Sequence, residues 1–166
     1  MEGLIETAEW QGRVLSLGQA LRQRGWRIAS AESCTGGLIA AACTAVAGSS
    51  DWFERGWVTY SNAAKHQELG VDDGLIAAHG AVSEPVARAM ALGALRRAGV
   101  QLAVAVTGIA GPGGAVAGKP VGTVWLAWGT DGLIQAERLQ LDGDRGAVRS
   151  GTVQAALARL LEAARP

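Results

Sequence analysis

The sequence predicts an α/β fold: a single three-layer α/β/α domain with a mixed sheet of about five or six strands. Apolar runs of strand length alternate with segments of helical periodicity as far as residue 120, the pattern of strands joined by crossover helices. Beyond that point two strand-like runs meet at a short Asp-Gly turn, which adds an antiparallel hairpin to the sheet. At 166 residues, 49% hydrophobic and 18% charged, the chain can bury a core without disulfides or a structural metal. Residues 1–166 therefore read as one domain.

Each element has its own signal. Leu4, Ile5, Ala8, Val14, Leu15, Gly18 and Leu21 recur near helical spacing, and a basic last turn before Gly25 predicts a helix over about 4–24. "WRIAS" predicts a short buried strand, "AESCTGG" the turn after it, and "LIAAACTAV" a second helix. "GSSDWF" reads as a turn or helix start, "GWVTYS" as the next strand, and "NAAKHQELG" as a short helix closed by Gly70. "DDGLIAAHG" is a further short helix. "SEPVARAMALGALRRAG" has Ser83 as N-cap, an acidic first turn with Pro85, and a basic last turn before a glycine. "QLAVAVTG" is apolar throughout, as in a strand covered on both faces, and "GIAGPGGAVAGKP" is a loop by composition. "VGTVWLAWGTDGLIQAERLQL" splits into the hairpin, and Val148, Val153, Ala156, Leu157, Leu160 and Leu161 mark a closing helix.

Composition excludes several function classes. A formal net charge of zero supplies none of the broad positive field that non-specific nucleic-acid binding needs. The start "MEGLIETAEWQGRV" has no basic segment leading into an apolar run, and no stretch reaches membrane-spanning length, so a soluble cytoplasmic protein without membrane partners is expected. Cys34 and Cys43 lack C-x-x-C spacing and a neighbouring histidine cluster, which points to reduced thiols and no metal site. Apolar, alanine-rich helix faces and tryptophans such as Trp52 and Trp57 fit either a core or a homo-oligomer interface.

Three polar, glycine-rich junctions follow predicted strands: "AESCTGG", "TYSNAAK" and "TGIAGPGG". In open α/β sheets, ligands gather beyond the carboxyl ends of strands, where helix N-termini offer free N–H groups. "GIAGPGG" matches neither the P-loop nor the dinucleotide fingerprint; it is a tight connection or a backbone cradle for an anion. Ser33 is a candidate nucleophile, although serine before a helix is ordinarily an N-cap. Cys34 is its rival, although a thiol beside an apolar helix is ordinarily core. Thr35 is itself a suitable cap, which frees Ser33 to face a cleft.

A nucleophilic serine needs a base. His79 sits at a predicted helix end, where a cation suits the dipole. His66 is adjacent to Lys65, about 100° around the helix, so the two do not easily aim at one site. A desolvated neutral lysine also activates serine, whereas arginine stays protonated. Lysine occurs only as Lys65 and Lys119. Tyr60, the sole tyrosine, precedes Lys65 across the strand-to-helix turn, so both can border one cleft. The alternatives are a solvated amine and a half-buried ring. Arg145 opens the last helix, where a cation opposes the dipole; holding an anion or pairing with Asp142 or Asp144 accounts for it. The candidate substrate-binding and oxyanion set is Thr35, Gly36, Gly37, Asn62, Thr107, Gly108 and Gly111 from these junctions, with Arg145 from the start of the last helix.

Taken together, "AESCTGG", "GSSDWFERGWVTYSNAAKHQELGV", "HGAVSEPVARAMALGAL", "VTGIAGPGG", "KPVGTVWLAWG" and "GDR" resemble the stand-alone CinA C-terminal domain family, the nicotinamide-nucleotide amidohydrolases. The resemblance runs from about residue 5 to 164, with the motifs in the same order. It implies hydrolysis of the nicotinamide mononucleotide carboxamide to nicotinate mononucleotide and ammonia, in pyridine nucleotide salvage, without metal or cofactor. It also implies Ser33 as nucleophile with Tyr60 and Lys65 as partners; helix-start geometry adds the N–H groups of Thr35 and Gly36, or of the Gly108 loop, as expected oxyanion donors. Three alternatives remain: a non-catalytic nucleotide-binding module, an amidase for another carboxamide, and a cysteine hydrolase using Cys34.

Overall fold

The computed structural model describes the backbone of residues 8–166 and side chains from Trp10 onward. Among the described residues, helix α1 spans Ala8–Arg24; the predicted turn from residue 4 lies outside them. The elements that follow are β1 (Ile28–Glu32), α2 (Leu38–Thr44), a 3-10 turn (Ser49–Asp51), β2 (Phe53–Val58), α3 (Asn62–Leu69) and α4 (Asp73–His79). The chain continues through α5 (Glu84–Ala98), β3 (Leu102–Gly108), β4 (Thr123–Thr130), β5 (Leu133–Gln140) and α6 (Arg145–Ala164).

The five strands form one sheet in the order β2-β1-β3-β4-β5. β2, β1 and β3 run parallel, and β4 and β5 are the antiparallel hairpin. Alternation along the strands assigns the two faces. Ile28, Val104, Val106 and Leu126 pack against Leu17 and Leu21 of α1, Ile39 of α2 and Leu157 of α6. Ala31, Ala103, Ala105 and Ala127 meet Val86, Met90 and Ala94 of α5, with Leu69 and Ile76 at its flank. Each large aliphatic side chain buried this way stabilises the fold by roughly 1.5–3 kcal/mol. Gly18 in mid-helix has a packing reason: a Cβ there would lie 2.8 Å from Nε1 of the fully buried Trp52.

Two strand boundaries and one cap differ from the sequence expectation. β1 starts and ends two residues later than "WRIAS", because Glu32, which reads as part of the turn, stays in register with Val58 and Val106. β2 covers Phe53–Val58 rather than "GWVTYS", since the parallel register runs from Phe53 opposite Ile28 and Ser61 becomes the N-cap of α3. The cap role expected of Thr35 fails too: α2 begins at Leu38, with Gly37 as N-cap at φ 100°, a left-handed conformation suited to glycine. Glu32 supplies the missing cap, accepting from the N–H groups of Ile39 (2.8 Å) and Ala40 (3.0 Å). The turn after β1, Thr59–Ser61 after β2 and the loop after β3 all leave the carboxyl ends of the parallel strands, where they build the site.

Candidate active site

Ser33 follows the last residue of β1 and is nearly buried; its N–H donates to the Val106 carbonyl at 3.1 Å. Lys65 lies on the first turn of α3, a helix held by the Ser61 hydroxyl, which accepts from the Ala64 N–H at 3.0 Å. The lysine side chain runs inward and is only 1% exposed. Its Nζ lies 3.0 Å from Ser33 Oγ, 2.8 Å from the Thr59 carbonyl and 3.4 Å from the Tyr60 carbonyl. A neutral amine has two hydrogens and one lone pair. With the two carbonyls accepting the hydrogens, the lone pair is directed at the serine hydroxyl. Burial lowers the Lys65 pKa to about 8, so the neutral form is accessible near neutrality.

The neighbouring thiol behaves in the opposite way. Burial, reinforced by the charge of Glu32, pushes Cys34 up to about 11, although its own backbone N–H lowers it. A thiol in that state is a poor nucleophile. The histidines stand elsewhere: His66 Nδ1 lies 2.8 Å from the Val71 carbonyl, and the His79 carbonyl accepts from Lys119 Nζ at 2.8 Å.

Ser33 and Lys65 form the floor of a cleft of about 220 Å³, bordered by Cys34, Tyr60, Asn62, Ala81, Val82, Gly108, Ala110 and Arg145. Arg145 lines it as a cation and no carboxylate does, which suits an anionic ligand. A larger pocket of about 360 Å³ between β5 and α6 contains no serine, cysteine or lysine; Arg159 there forks onto Glu137 at 2.8 and 2.7 Å.

The other sequence candidates divide. Asn62, Gly108 and Arg145 border the cleft with the Ser33–Lys65 pair. Tyr60 is 60% exposed at the mouth; its phenol accepts from Arg145 Nη2 at 2.9 Å, and it reaches Lys65 through its carbonyl. Gly111 uses its carbonyl to accept from Arg145 Nη1 at 2.8 Å. Thr107 stands behind the wall, its hydroxyl donating to the Ala81 carbonyl at 2.9 Å. Thr35 is fully buried, its hydroxyl donating to Glu32 at 2.6 Å. The Gly36 N–H donates to the Ser33 carbonyl at 3.1 Å, and Gly37 faces Val58.

Sequence reading missed Glu32, Thr59 and Arg149. Arg149 binds the carbonyls of Cys34 (3.2 Å) and Thr35 (3.1 Å) from α6. Its position four residues after Arg145, on the same helical face, was an available signal, as was an ionisable Glu32 beside an apolar strand. Thr59 acts through a carbonyl, for which residue type gives no signal.

The family model described as CinA C-terminal domain matches residues 13–164. The chain is 55% identical over 152 residues to the nicotinamide-nucleotide amidohydrolase PncC of Enterobacter agglomerans, covering 91% of each protein. It is 56% identical over 146 residues to the PncC of Pseudomonas putida, covering 88% of this chain and 91% of that protein. Among solved structures, the competence/damage inducible protein CihA from Agrobacterium tumefaciens superposes with a TM-score of 0.91 at 43% identity, covering 94% of this chain and 96% of that one.

Proposed function

The chain belongs to the CinA C-terminal domain family, and from that membership together with the cleft geometry we propose that it is a nicotinamide-nucleotide amidohydrolase with a Ser33–Lys65 dyad. Relatives that carry this name over nearly their whole length support the amidohydrolase activity in general. The observation that carries the mechanism is the buried Lys65 amine 3.0 Å from Ser33 Oγ, with two carbonyls occupying its hydrogens.

Ser33 Oγ attacks the carboxamide carbon while its proton passes to neutral Lys65. The tetrahedral intermediate collapses as the C–N bond breaks, and the Lys65 ammonium returns the proton to the departing nitrogen, releasing ammonia. Water then attacks the Ser33 ester, giving one proton to Lys65; ester cleavage frees the carboxylic acid, which loses its proton to solvent as the carboxylate, and the Lys65 proton restores the serine. Because the Gly36 N–H donates to the Ser33 carbonyl and the Ile109 N–H to the Thr123 carbonyl, the oxyanion falls to the loop beyond Ile109, where Ala110 borders the cleft. The substrate phosphate is assigned to Arg145, the cation at the mouth, and the pyridine to the wall of Val82 and Tyr60. This reading places the protein in the cytoplasm, in pyridine nucleotide salvage. Among the described residues, no helix is long and apolar enough to cross a membrane.

The test is ammonia release from nicotinamide mononucleotide, nicotinamide riboside and free nicotinamide. The mononucleotide should be turned over best, and Lys65→Met should lose about 10³-fold or more in kcat. No ammonia from the mononucleotide with folded wild-type protein contradicts the substrate assignment. Full activity in Lys65→Met contradicts the dyad.

A further inference from the structure

We propose that Glu32 is a positioning residue, whose carboxylate holds the nucleophile turn in register with the base; this rests on the Ser33–Lys65 reading above. Glu32 is fully buried at the end of β1, immediately before Ser33. Its Oε1 accepts from the Thr35 hydroxyl at 2.6 Å and the Ile39 N–H at 2.8 Å, and its Oε2 accepts from the Ala40 N–H at 3.0 Å. All three partners donate, so the site calls for an acceptor-only group, which a carboxylate supplies and an amide does not.

The main chain of the same residue serves the other half of the dyad. The Glu32 carbonyl accepts from the Thr59 N–H at 2.8 Å, and the Thr59 carbonyl accepts from Lys65 Nζ at 2.8 Å. One residue thus fastens the serine turn through its side chain and the lysine anchor through its backbone. Arg149 holds the opposite side of the turn through the Cys34 and Thr35 carbonyls. A helix cap alone needs only the two N–H groups of α2. The short bond to Thr35 reaches into the turn itself and ties Ser33 to the start of the helix.

Replacing the carboxylate by an amide puts an NH₂ against a donor and shifts the turn. A displacement of about 1 Å in a catalytic group can lower the rate by roughly 10²-fold. The experiment measures kcat and KM for nicotinamide mononucleotide, the rate of Ser33 labelling by a fluorophosphonate probe, and thermal unfolding. Wild type is compared with Glu32→Gln, Thr35→Val and Asp72→Ala. Asp72 caps α4, accepting from the Gly74 N–H at 2.7 Å and the Leu75 N–H at 3.2 Å, and so reports the effect of losing a cap elsewhere. The labelling rate does not depend on which carboxamide is the substrate, so failure of the substrate assignment is distinguishable from failure of this proposal.

For folded Glu32→Gln, kcat and the labelling rate should fall together by about 10²-fold, with KM within about threefold of wild type. Asp72→Ala should lower the unfolding temperature and leave labelling within about twofold of wild type. Should Glu32→Gln not fold, Thr35→Val decides: labelling slowed about tenfold or more supports the proposal, and an unchanged rate overturns it. Labelling within about threefold of wild type in folded Glu32→Gln, or slowed as much in Asp72→Ala, also overturns it.

Discussion

Lys65 carries the main pH dependence. It is a base only when neutral, and burial brings its pKa from the ordinary 10.5 to about 8. The value of kcat/KM should therefore rise with pH, bend near 8 and level off above it. A profile flat between about pH 6 and 9 contradicts the assignment. The same burial has a stability consequence of fixed sign. Between about 8 and 10.5 the unfolded chain keeps the lysine proton that the folded chain has lost, so this site stabilises the fold progressively as pH rises through that window. Below about 8 the penalty of the buried charge is complete. The unfolding temperature of Lys65→Met relative to wild type should accordingly be most favourable to the variant near pH 7 and less so by pH 10. A gap that widens in the variant's favour with pH contradicts a buried lysine. At this scale Ser33 and Lys65 were legible because lysine is scarce and Ser33 heads a glycine turn. The carbonyl of Thr59 was not, because any residue type supplies one.

Helix α6 presents Arg145 and Arg149 from successive turns to the same side of the sheet. Arg145 ties Tyr60 to Gly111 across the cleft mouth, whereas Arg149 holds the turn that carries the nucleophile. The two should separate kinetically. Arg145→Gln should raise KM for nicotinamide mononucleotide about tenfold or more and leave the riboside nearly unaffected, because only the former carries the phosphate. An equal change for both substrates removes the phosphate from Arg145. Arg149→Met should instead lower kcat with little change in KM, since it touches the serine turn and does not border the cleft. The α3, α4, α5 and β3 elements were legible from their glycine stops and apolar runs; Ser83 takes the N-cap position of α5, but its hydroxyl donates to the Gly80 carbonyl at 2.7 Å and does not cap the helix. The ends of β1 and β2 were not, because strand pairing sets them: the parallel register carries Glu32 into the sheet and ends β2 at Val58, leaving Tyr60 in the turn beyond.

At the scale of the whole molecule, the sheet order brings three loops separated in sequence to one end. β1 lies between β2 and β3, so the turn after β1 sits between Thr59–Tyr60 and the Gly108 loop. Strand and helix alternation made that end legible as the place for a ligand, but side-chain direction decided which candidates entered the cleft. Thr35 and Thr107 are buried scaffold, while Asn62 and Arg145 border the opening. The assembled cleft should bind nucleotide as a folded unit. With Ser33→Ala, nicotinamide mononucleotide at 100 times its Kd should stabilise the protein by about 2.7 kcal/mol, and free nicotinamide at the same concentration by less. Equal stabilisation by both ligands contradicts recognition of the ribose phosphate. The most direct test of the Ser33–Lys65 dyad is ammonia release from nicotinamide mononucleotide by Ser33→Ala and Cys34→Ala, measured side by side at pH 8. The predicted result is a loss of about 10³-fold or more in Ser33→Ala and less than about threefold in Cys34→Ala. The reverse order would make Cys34 the nucleophile and contradict the central claim.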